Sequence, residues 1–175
     1  MNSHSLPERP DGFLWCGRLL EAALEPRSRL HSGPRQRKEL PAFRVMFALV
    51  RQDLDAGGNG VQPLFNLAVT TTLALGYLIT EASRHYGQDA EQVAAGLAGE
   101  FVTADVGRVL AGLYDGSFDE VLKDVLTSGN GETFFDLLGD LTEMAVVLLV
   151  GVADWEGMTP VEVVRRLQRT AEENS

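Results

Sequence analysis

The side chains that could do chemistry in this 175-residue chain are few and scattered. Only three histidines occur, and His85 alone lies outside the N-terminal 44 residues. Glu81 stands one helical turn before it, and a Glu–His pair could tune a general base. At that spacing near a helix end the pair is more simply a surface contact. Asp115, Ser117 and Asp119 imitate the first three ligands of a calcium loop. The imitation stops there, because Glu120 replaces the required glycine and Leu126 the bidentate glutamate.

Gly57, Gly58 and Gly60 follow no strand and lack the lysine and hydroxyl residue of a phosphate-binding loop. Cys16 is the single cysteine, so it closes no intrachain disulfide and builds no zinc site alone. Asp136, Asp140 and Glu143 share a helical face, but no Glu-x-x-His pattern accompanies them, and the plain reading is a solvated acidic face. No catalytic set, metal site or cofactor motif is assembled by these residues.

The elements that would position any such group are helices. Leu64 to Tyr86 has apolar residues at 64, 67, 68, 71, 75, 78, 79 and 82, with Phe65, Val69, Leu73 and Tyr77 on the other side. A helix apolar nearly all round must be covered on several faces, which places it at the centre of a helical domain. Its most apolar part, 64–79, spans about 24 Å, short of a bilayer's hydrocarbon, and Asn66 with Thr70, Thr71 and Thr72 makes it more polar. The chain is therefore read as no integral membrane protein. A polar, proline-containing start and a lone cysteine place it in the cytoplasm.

Residues 12–25 form a short amphipathic helix with Phe13, Trp15 and Leu19, ended by Pro26. A basic linker, 26–39, follows, carrying Arg27, Arg29, Arg35, Arg37 and Lys38. Together, 1–39 read as an arm on a single helical domain, 40–170, with 171–175 frayed. Residues 1–44 carry eight basic and five acidic side chains, and 45–175 seven and twenty. The acidic body disfavours nucleic acid and anionic lipid, except through 27–38. Five charges without interleaved aromatics read more simply as a tether.

Capping boxes are expected at Asp89/Gln92, Ser117/Glu120 and Thr159/Glu162, with Gly87 and Gly157 closing the long helices. An offset of seventy pairs Phe65 with Phe135, Thr72 with Thr142, Gly87 with Gly157 and Leu97 with Leu167. Upstream, an offset of sixty-four pairs Leu49 with Leu113. The fold class is all-α, a compact helical bundle of about seven to eight helices with repeats at 40–102 and 104–170, its two long helices packed together. The plainer alternative is two hairpins that look alike because caps use few residue types.

The function expected is a non-enzymatic protein–protein interaction or regulatory module, binding a protein partner or a second copy. Phe13, Trp15 and Leu19 would dock in a groove and the arginines would assist. Two alternatives stand beside it: an apolar ligand held between the long helices near Tyr77 and Met144, and an uncharacterised all-α enzyme.

Overall fold

The computed structural model describes residues 11–25, 40–100 and 104–173. The described residues form eight helices and no strands: α1 Asp11–Ala23, α2 Pro41–Asp55, α3 Val61–Tyr86, α4 Ala90–Glu100, α5 Ala104–Asp115, α6 Phe118–Ser128, α7 Gly131–Glu156 and α8 Pro160–Glu173. Basic residues 27–38 lie outside the described residues.

The caps explain most of these boundaries. Pro41 and Pro63 both sit in a first turn, where a missing N–H costs nothing; α3 begins two residues before Pro63. Asn130 opens α7 by accepting the Thr133 N–H at 2.9 Å. The Thr159 N–H donates to Glu162 Oε2 at 2.7 Å and the Glu162 N–H donates back to Thr159 Oγ1 at 3.3 Å, the expected capping box. Asp89 caps α4 through the Glu91 N–H at 2.8 Å.

Ser117 is a correction. Its hydroxyl makes no cap bond and instead donates to Asp115 Oδ1 at 2.5 Å, as does its N–H at 2.9 Å. A carboxylate is the stronger acceptor, and it outcompetes the helix end for the hydroxyl. These bonds lower the Asp115 pKa, the hydroxyl's first.

The long helices α3 and α7 lie against each other over the most extensive pairing in the fold. Each is also covered by α1, α2, α5 and α6, with α4 completing the cover of α3 and α8 that of α7. That explains why both are apolar nearly all round. Among the described residues α3 alone has the length and composition of a membrane span, and more than half of that stretch is buried in the fold. Leu75, Leu78, Ile79, Leu138, Leu141, Met144 and Leu149 are fully buried there. Asp140 is also buried, where a solvated acidic face was expected. Six neighbours leave α7 a narrower exposed strip than its charges suggest.

Candidate functional site

The arm residues divide. Leu19 is fully buried, together with Leu20 and Cys16, in the same core as the long helices. This corrects the docking role given to Leu19: α1 packs on α2, α3, α7 and α8, so its apolar face is spent within the chain. Phe13 is half-buried, and so is Trp15, whose ring lies under the Arg18 guanidinium at 4.9 Å. Leu14 is the exposed apolar residue of this helix.

Cys16 is no nucleophile. Burial raises its thiol to about 11, against a smaller opposing effect of the Thr71 hydroxyl, whose oxygen lies 3.8 Å from Sγ. The glycine loop holds no phosphate cradle either, since Asp53 Oδ2 already accepts the Gly60 N–H at 2.7 Å. An anion from the chain itself occupies the position a phosphate would need.

Between the long helices the polar groups are also committed. Thr71, Thr72 and Thr142 donate to the carbonyls of Leu67, Ala68 and Leu138 at 2.7, 2.8 and 2.7 Å. These hydroxyls spend their protons on the backbone one turn back. Met144 is fully buried and Tyr77 half-buried. Among the described residues no three His, Cys, Asp or Glu side chains gather as a metal site.

What the fold does assemble is an aromatic cluster where α3 and α7 end. His85 and Trp155 stack with ring centroids 4.1 Å apart and planes 6° from parallel. Tyr86 stands edge-on to both, 5.0 Å from Trp155 and 5.2 Å from His85. The indole also lies along Gly151, where a side chain would press on it. Glu81, expected beside His85, pairs with Arg84 at 2.7 Å. An exposed arginine wins that carboxylate because it carries a full charge.

Next to the cluster, Arg166 bonds Glu156 and approaches Met158 Sδ at 3.8 Å. The Glu156 bond raises the Arg166 pKa. Known proteins offer no guide. The chain matches no family model, no curated protein and no solved structure. Sequence reasoning passed over Tyr86 and Trp155, because one lies outside the helical stripes and the other seventy residues away. The signal was available in the offset of seventy, which pairs His85 with Trp155.

Proposed function

We propose that the chain is a duplicated helical unit acting as a protein–protein interaction module, with the aromatic cluster at the ends of α3 and α7 as its contact point. The observation that carries this is Tyr86. The residue is 58% exposed, yet the ring is pinned against two others. An aromatic ring held rigid in water loses little entropy on binding and brings a large apolar area, the properties of interface anchors. Phe13, Leu14 and Trp15 on α1 are a further set of partly exposed apolar side chains.

The test is affinity capture from an extract of the host, with nuclease present, using the full chain and the Tyr86→Ser variant. A partner held by the native chain and lost from a variant of unchanged melting temperature supports the reading. Identical retention by both sinks the cluster as the contact point.

A further inference from the structure

The packing has an order that no single helix reveals. Exchange α1, α2, α3 and α4 with α5, α6, α7 and α8, and every principal helix pairing maps onto another principal pairing. The α1 and α2 pair becomes the α5 and α6 pair, α3 on α4 becomes α7 on α8, and α3 on α7 maps onto itself. Beside the central α3 and α7 pair, the most extensive pairings that cross between the halves are α1 on α8 and α5 on α4.

Side chains obey the same exchange. Phe47 of α2 meets Phe135 of α7 with ring centroids 5.0 Å apart, and Lys123 of α6 sits 5.9 Å over Phe65 of α3. Phe65 and Phe135 are seventy residues apart, and Phe47 and Lys123 are related by the offset of seventy-six that aligns Met46 with Leu122 and Leu49 with Val125, all four buried. An offset of ninety aligns Gly17-Arg18-Leu19-Leu20 with Gly107-Arg108-Val109-Leu110. Leu19, Leu20, Val109 and Leu110 are buried alike. Arg18 covers Trp15, and Arg108 pairs with Asp105, three residues back in both cases.

We infer that the chain is a fused homodimer of a four-helix unit, α1–α4 and α5–α8, in which each half seats its first helix on the last helix of the other. The inference rests on the duplication reading and changes its boundary, because α1 belongs to the first unit as α5 belongs to the second. The partner that fits each half is thus the other half. A single chain satisfies internally the surface that one unit would offer to a second copy.

Two-fold exchange makes one distinctive demand. The path from Glu173 back to Asp11 must be as short as the path from Glu100 to Ala104, which three residues cover. The packing agrees. Tyr114 at the end of α5 donates to the Ala90 carbonyl at the start of α4 at 3.3 Å, so these helices run antiparallel. Gly17 of α1 faces Gln168 of α8. The exchange makes α1 and α8 antiparallel as α4 and α5 are, and since Asp11 lies six residues before Gly17 and Glu173 five after Gln168, that direction would bring those ends level at 1.5 Å rise per residue.

Two variants test this, the first a substitution in the full chain and the second a circular permutant of residues 11–173. Lys123→Phe rebuilds on Phe65 the ring contact that Phe47 makes on Phe135, and its melting temperature should equal or exceed the native value. A fall of more than about 4 °C would show that the positions are not equivalent and overturn the duplication itself. The second is a permutant running 104–173, then the native 101–103 segment, then 11–100, beside one with a longer Gly-Ser connector. Native-like helicity, a one-chain mass by light scattering and a melting temperature within about 5 °C of native are expected for the short connector. If only the long connector folds, or neither does, the exchanged dimer is overturned, while a tolerated Lys123→Phe leaves the duplication standing.

Discussion

His85 and Trp155 lie face to face, 4.1 Å between ring centroids, although seventy residues separate them in the chain. Both sit one turn or less before a glycine that ends its helix, Gly87 at φ 63 and Gly157 at φ 65. Two helices of identical length, stopped by the same device and lying against each other, deliver equivalent positions to one place. The aromatic cluster is a consequence of that placement, and neither helix could build it alone.

The glycine stops should be worth the same on both sides. Replacing Gly87 or Gly157 with alanine forces a side chain into the left-handed region, costing about 1–2 kcal/mol in each case. Chemical denaturation of the two variants should show closely similar losses. A loss at one site only would mean that the two helix ends are held by different interactions.

Leu19→Ala should cost about 2–5 kcal/mol, because it empties a fully buried position where α1 meets the core. Leu14→Ala, on an exposed position of the same helix, should change stability by less than about 0.5 kcal/mol. Equal, small effects would mean that α1 contributes nothing to the core.

Cys16 sets an alkaline limit. Its thiol goes from 9.0 to about 11 on folding, so the folded chain holds this proton more tightly than the unfolded chain. The contribution is complete below pH 9 and is lost as pH rises from there through about 11. Native stability should therefore fall more steeply than that of Cys16→Ala between pH 9 and 10.5, by up to about 1.4 kcal/mol per pH unit. Parallel slopes in urea titrations would contradict the burial argument. At pH 8 the native thiol should react with a thiol reagent only after unfolding.

The connection between α1 and α2 offers the last prediction. Gly116 and Ser117 suffice to join α5 to α6, which pack as α1 and α2 do. The offsets of ninety and seventy-six differ by fourteen residues, the length of segment 26–39. Excising 26–39 should leave helicity unchanged and the melting temperature within about 5 °C of native. A collapse of the fold would make the basic segment a structural member and not an addition to the first half.

Much of the fold was legible in the sequence. Helical periodicity marked the first long helix, and Thr159, Gly87 and Gly157 placed boundaries through local rules that involve only neighbouring residues. Apolar residues all round 64–86 required several covering neighbours, and the structure supplies six. The offset of seventy was equally a property of the sequence, and it matches the bounds of α3 and α7 residue for residue.

Tertiary structure decided the rest, because packing partners far apart in sequence leave no local signature. An amphipathic helix with a polar side reads the same whether it docks on its own chain or on another, so Leu19 looked available and proved to be core. Asp140 was misread for the same reason, since a sixth covering helix is a fact of three-dimensional neighbourhood, whereas Ser117 was misread locally, its hydroxyl taken by Asp115 two residues back. In the duplication we propose, Leu49 corresponds to Val125 and not to Leu113, because there helix packing, and not identity of residue type, defines which positions correspond.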